Sequence, residues 1–220
     1  MIRETSYGQT FGELYRETEE LFNTVDDGCH DFDHTLRVLH NAELLLTHYP
    51  AANKEVVRLA ALLHDIGRVG ESKTAGAPCH AETGAAKAVQ MLLSHGYDMP
   101  TAVQVGEAVR THRYRGDAQP ETLEGQIIFD ADKLDSLGAV GIGRAFLFAG
   151  MVGARVHNTA ETALSSPAYG REDTAYREYL VKLRHIPEKM FTDAGRVLAH
   201  ERLKFMEEFF ARLNLEVYDN

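Results

Sequence analysis

An all-α fold is what this sequence predicts, on three observations. Apolar residues recur with a period near 3.6 along most of the chain. No run alternates apolar and polar residues long enough to make a strand. The gaps between periodic stretches carry helix punctuation, with Asp or Asn ahead of a run and Gly or Pro behind it.

The elements follow in order. Residues 7–25 read as an amphipathic helix with Phe11, Leu14, Tyr15, Leu21, Phe22 and Val25 on one stripe. Asp26, Asp27 and Gly28 stop it. Asp31 or Asp33 caps a second helix from about His34 to His48, ended by Pro50. Asn53 opens a third, whose apolar run Leu59-Ala60-Ala61-Leu62-Leu63 ends in His64-Asp65-Ile66-Gly67-Arg68. Gly67 suits a left-handed helix end there. Residues 71–80 form a turn-rich loop placed to act as a lid. Helices are expected over 81–95, with Ala85, Ala88, Val89, Leu92 and Leu93 inward, and over 100–112. A basic loop and a helix over 121–137 follow. The glycines of 138–154 lack the spacing and the βαβ setting of a dinucleotide fingerprint, so they read as small residues on a tightly packed helix. Residues 157–170 read as irregular. Two closing helices span 172–185 and 192–215, the last with Val197, Leu198, Leu203, Met206, Phe209, Phe210 and Leu213 as its stripe.

Composition narrows the function. The chain has 220 residues, 33 acidic and 23 basic, for a net charge of −10. That balance disfavours an extended nucleic-acid surface. It leaves room for a small anionic substrate, because a cation can reverse the field within one pocket. No apolar run approaches the 18 residues of a membrane span, and the polar N-terminal stretch lacks a signal-peptide core. Two cysteines make no disulfide framework. A cytoplasmic protein is the expectation.

The His64-Asp65 pair draws attention because the preceding apolar run carries it inward. An isolated pair reads better as a helix-end His near the negative end of the dipole beside an exposed Asp. His34 on an earlier helix and Asp132 on a later one change that reading. Two imidazoles and two carboxylates suit a divalent ion such as Mn, Fe, Co, Ni or Zn, and tolerate Mg. Four protein ligands on an octahedral ion leave positions for water and a phosphoryl oxygen, the equipment for hydrolysing a phosphate ester. Asp130 competes with Asp132, but the two point to nearly opposite sides of a helix. Asp132 shares its face with Asp135, an acceptor suited to stand behind the ligand. Arg37, Arg68 and Lys133 are the phosphate-binding candidates, whereas Arg113 and Arg115 read as solvated charges. Glu82 reads as a first-turn acid.

His34, His64-Asp65 and Ala131-Asp132-Lys133-Leu134 reproduce, in order, the H…HD…D signature of the HD-domain metal-dependent phosphohydrolase superfamily, which this chain resembles. The stretch from Leu137 to Phe146 and the closing helices resemble its branch of small bacterial, YedJ-like hydrolases. The resemblance implies one all-α HD-type domain over 1–220, a helical bundle with a metal-binding core at about 26–138 and additional C-terminal helices over 139–220. It implies phosphomonoesterase or phosphodiesterase activity on a nucleotide or other small phosphate ester, by attack of metal-activated water. Asp65, Arg68 and Lys133 then carry the chemistry. Some members hold a second metal, for which His80 and His112 are the candidates here. A two-metal oxygenase and a non-catalytic nucleotide-binding sensor are the alternatives, and a homodimer is a compatible assembly.

Overall fold

The computed structural model describes residues 7–24, 28–69, 80–113 and 118–218, with His80 given by its backbone alone. It is all-α, with no strand among the described residues. Two compact units divide it, Met1–Asp132 and Lys133–Asn220.

The first unit begins with α1 (Gln9–Phe22), which buries Phe11, Leu14, Tyr15 and Phe22. Asp31, rather than Asp33, caps α2 (Phe32–Leu46): its Oδ1 accepts from the His34 N–H at 2.9 Å, which sets His34 in the first turn. Asn53 caps α3 (Lys54–Leu63) by accepting from Glu55 and Val56. Its own N–H donates to Glu124 Oε1 at 2.7 Å, tying the start of α3 to the start of α6. Leu59, Leu62 and Leu63 are fully buried, and each contributes about 1.5–3 kcal/mol by leaving water. The inward course expected of this run is therefore real.

The helix ends one residue before His64, and Asp65 sits in the bridge region at φ −103°, ψ 12°. A 3-10 turn over Ile66–Arg68 follows. Gly67 lies inside that turn, which corrects the expected left-handed helix end. Its smallness serves packing instead. A Cβ on Gly84 of α4 (His80–Ser94) would come within 3.1 Å of the Gly67 nitrogen. Helix α4 thus closes on the backbone just after Asp65 and packs along α5 (Met99–Thr111). Leu93, expected inward on α4, is 38% exposed, whereas Ala88 and Leu92 are fully buried. The stretch 71–79 and residues 114–117 lie outside the described residues.

Helix α6 (Leu123–Leu134) carries Asp130 and Asp132. It stops short of the expected residue 137, because Leu137 turns extended and Gly138 is left-handed at φ +69°.

In the second unit, α7 (Gly138–Met151) packs on α9 (Ala175–Val181) and α10 (Asp193–Tyr218). Gly141 fits the tight-packing expectation, since a Cβ there would strike the Ser136 carbonyl. Gly143 and Gly150 do not, for they face open space. The segment read as irregular contains a short helix, α8 (Ala160–Ser165), capped by the Thr159 hydroxyl. The expected helix over 172–185 is broken at Lys182, whose backbone leaves the helical region before a 3-10 turn over Leu183–His185. On α10, Leu203, Met206 and Phe210 are buried as expected, but Val197 is 68% exposed. Among the described residues no single helix is long and apolar enough to cross a membrane.

Candidate metal centre

Three segments of the first unit deliver the site. The Asp31 cap sets His34 at the start of α2, the end of α3 brings in His64 and Asp65, and the last turns of α6 bring in Asp132. Asn41, about two turns further along the His34 face, donates from Nδ2 to the Ala131 carbonyl at 3.0 Å. That buried bond joins the helix holding His34 to the helix holding Asp132.

The ring nitrogens converge. His34 Nε2 and His64 Nε2 lie 3.2 Å apart. Asp65 Oδ2 stands 3.7 Å from each of them. Asp132 Oδ1 is 3.5 Å from His34 Nε2. His34, His64 and Asp65 are all buried and offer ligand atoms within 4.8 Å of one another. Asp132 adjoins that group through His34.

The local bonds fix which atoms carry lone pairs. His64 Nδ1 lies 2.9 Å from the Ala61 carbonyl. A carbonyl only accepts, so the proton sits on Nδ1 and the Nε2 lone pair faces the cluster. Burial pushes the His64 pKa down to about 4, against the opposing pull of Asp65 and Asp132, so its ring is neutral at pH 7. Burial alone pushes Asp65 upward. The Arg68 guanidinium, His64 and His112 together outweigh it and hold the carboxyl well below the usual range. A neutral imidazole and an ionised carboxylate are the forms that ligate a metal. Lone pairs and carboxylate oxygens facing one another in a buried space repel unless positive charge lies among them. The donor set therefore fits a divalent cation.

His112 joins this group. Its Nδ1 donates to the Val109 carbonyl at 2.5 Å, and its Nε2 lies 3.5 Å from Asp65 Oδ1. Its ring meets that of His64 edge-on at 5.3 Å. His30 packs edge-on against His34 at 5.7 Å. His95 and His157 lie away from the cluster, held by Met91 and Glu17 and by Asn214.

The remaining candidates fall in different places. Arg68 Nε lies 2.8 Å from Asp65 Oδ2, so its guanidinium meets the carboxylate directly. Arg37 is half-buried on α2, and Glu82 is exposed in the first turn of α4. Lys133 is buried in the last turn of α6. Asp135 accepts from Arg144 Nη1 at 2.9 Å. The His80 side chain and Arg115 lie outside the described residues. Asn41, the Gly67–Gly84 approach and the Arg68–Asp65 pair escaped sequence reasoning. The only signal for Asn41 was a polar residue on an otherwise buried helix face.

Residues 31–137 match the HD domain family. The chain belongs to that HD-domain family. YpgQ of Bacillus subtilis is 31% identical over 198 residues, spanning 88% of this chain and 87% of YpgQ. The crystal structure of YpgQ in complex with ADP superposes with a TM-score of 0.70, at 25% identity, covering 94% of each chain. A predicted HD superfamily hydrolase from an uncultured Thermotogales bacterium superposes with a TM-score of 0.66, at 31% identity, covering 93% of this chain and 91% of that one. At family level, metal-dependent phosphohydrolysis is the chemistry these likenesses support.

Proposed function

We propose that this protein is a cytoplasmic phosphohydrolase acting on a nucleotide or another small phosphate ester, with a divalent ion held by His34, His64, Asp65 and Asp132. The proposal treats residues 26–138 as the metal-binding core of one HD-type domain and 139–220 as its helical extension. The observation that carries it is the convergence of the His34 and His64 Nε2 atoms, 3.2 Å apart, on the ionised carboxylate of Asp65. The ADP bound by YpgQ supports a nucleotide as the ligand class.

When bound, such an ion supplies Lewis acidity and lowers the pKa of a coordinated water. The chain does the rest. Asp31 fixes the backbone of His34 in the first turn of α2, and the Ala61 carbonyl orients the His64 imidazole through its hydrogen bond. Burial of the cluster keeps bulk water from competing, and Asn41 holds α2 and α6 in register. Arg37, Arg68 and Lys133 are assigned to the substrate's phosphoryl oxygens, where a planar guanidinium or an ammonium offsets negative charge. Elemental analysis of the purified protein, with Asp65→Ala as control, tests the reading. Wild type retains a divalent metal and cleaves members of a phosphate-ester panel, and the variant loses both. A metal-loaded wild type that leaves the whole panel intact would refute hydrolysis, and stabilisation by nucleotides without turnover would favour the sensor reading instead.

One observation favours a second ion. The two oxygens of Asp65 face different histidines, Oδ2 toward His34 and His64 and Oδ1 toward His112. A bridging carboxylate has this arrangement, and two ions clamp attacking and leaving oxygens in phosphoryl transfer. A two-metal oxygenase would use the same set with His80. Two ions per chain support the pair and one excludes it.

A further inference from the structure

Three of the four proposed ligands are held by a neighbour in sequence. The Asp31 cap holds the backbone of His34, the Ala61 carbonyl holds the His64 ring, and Arg68 meets Asp65. Asp132 has a different setting. It stands in the last turn of α6, two residues before the helix ends at Leu134. The final carbonyls of a helix have no partner within it, so a terminal turn frays unless other groups take them. A ligand must be held to within about 0.5 Å of its working place.

This turn is held from outside the helix, one residue before Asp132 and two residues after it. Asn41 donates to the Ala131 carbonyl at 3.0 Å. Arg202 of α10 donates from Nη1 to the Leu134 carbonyl at 2.6 Å. The second bond is charge-assisted, and such bonds are roughly twice as strong as neutral ones. A cation here also meets the negative pole of the α6 dipole. The Leu137 N–H reaches the same carbonyl at 3.2 Å and tightens the chain as it leaves the helix.

The path of Arg202 is built for this bond. A Cβ on Gly138 would lie 3.3 Å from both the Cβ and the Cγ of Arg202, so the bare glycine lets the arginine stem cross the α6–α7 turn. Arg202 is half-buried, and burial pushes its pKa down against the pull of Asp135 and Glu201. Taking a guanidinium out of water costs free energy that its own bonds must offset. Asp135, 2% exposed, accepts in turn from Arg144 of α7 at 2.9 Å. Helices α7 and α10 therefore each send an arginine to the close of α6.

We propose that Arg202, supported by the Arg144–Asp135 pair, is a positioning residue for Asp132. By fixing the terminal turn of α6 it keeps the Asp132 carboxylate in place beside His34, whose Nε2 lies 3.5 Å from Asp132 Oδ1. The proposal rests on the reading of Asp132 as a metal ligand.

Calorimetric titration of the metal-free full chain with Zn²⁺ tests it. Zinc binds nitrogen and oxygen donors more tightly than manganese does, which leaves room to measure two successive losses. Arg202→Met should bind Zn²⁺ about 10-fold more weakly than wild type, the lower end of the loss when a group orienting a ligand is removed. Arg202→Lys is close in size to the methionine variant but can still bond the Leu134 carbonyl, so it should recover most of that loss. Asp132→Ala removes the ligand being positioned. In that background Arg202→Met should weaken binding no further, because both changes act on one interaction. Should Arg202→Met not fold, as read by circular dichroism, Arg202→Gln takes its place in each comparison with the same expectation. Unchanged affinity in the arginine variant, a lysine variant just as weak, or an equal loss in the Asp132→Ala background would overturn the proposal. The last result would mark Arg202 as a general prop of the fold. Wild-type protein that takes up no Zn²⁺ would overturn the metal-site reading itself, and the proposal with it.

Discussion

Arg68 Nε lies 2.8 Å from Asp65 Oδ2, the same carboxylate oxygen that stands 3.7 Å from the Nε2 atoms of both His34 and His64. The guanidinium keeps that acid ionised in a buried setting and fixes the direction in which its oxygens point. Replacing it should be felt first at the metal. For Arg68→Met we expect affinity for a divalent ion to fall by about 10–100-fold, the usual loss when a group orienting a ligand is removed. The midpoint of metal uptake should also move to higher pH, because burial, now unopposed by Arg68, raises the Asp65 carboxyl. Calorimetric titration across a pH series measures both.

Asn41 makes a different kind of contribution. Its amide satisfies the buried Ala131 carbonyl at 3.0 Å. Asn41→Leu removes the side-chain bond to that carbonyl and leaves it only its helical partner, at a cost of about 0.5–1.5 kcal/mol. Equilibrium urea unfolding should show the loss, and metal affinity should fall with it because α2 and α6 are no longer tied. A variant as stable as wild type would show that the bond contributes nothing.

Gly84→Ala sets two effects against each other. Alanine in a helix interior gains about 1 kcal/mol over glycine. Its methyl, however, would press on the Gly67 backbone nitrogen at 3.1 Å. Backbone yields less readily than a side-chain tip, so destabilisation should win. The displaced turn carries Arg68, so metal affinity should decline as well. Thermal unfolding with and without metal checks both expectations.

Acid should destabilise the metal-free protein in a defined window. The His64 pKa is depressed to about 4 by burial, from an ordinary value near 6.5. A group whose folded pKa is lowered contributes stability above its unfolded pKa and loses it as pH falls through the folded one. Stability should therefore decline between about pH 6.5 and pH 4. His64→Leu should flatten that part of the profile in chemical denaturation of the metal-free protein, since no imidazole remains to be charged.

Local pattern made most of the helices readable in the sequence. Asp31 and Asn53 announce their caps, and the run from Leu59 to Leu63 shows its burial by composition alone. These features depend on neighbours within one turn. Gly138 and the Thr159 cap were local signals for the end of α6 and the short helix at Ala160–Ser165 that the reading passed over, whereas the break at Lys182 has no glycine or proline to announce it.

By itself the sequence determined the fold class, the family and the residue types able to hold a cation, because periodicity, capping and the H…HD…D order are properties of the chain read along its length. Only the tertiary structure decided that Asp65 turns one oxygen to His34 and His64 and the other to His112, that Arg68 meets this carboxylate, and that Gly67 serves a close backbone approach instead of a left-handed turn. Those are relations between residues far apart in sequence, or between side-chain atoms whose directions are fixed only once the helices have packed.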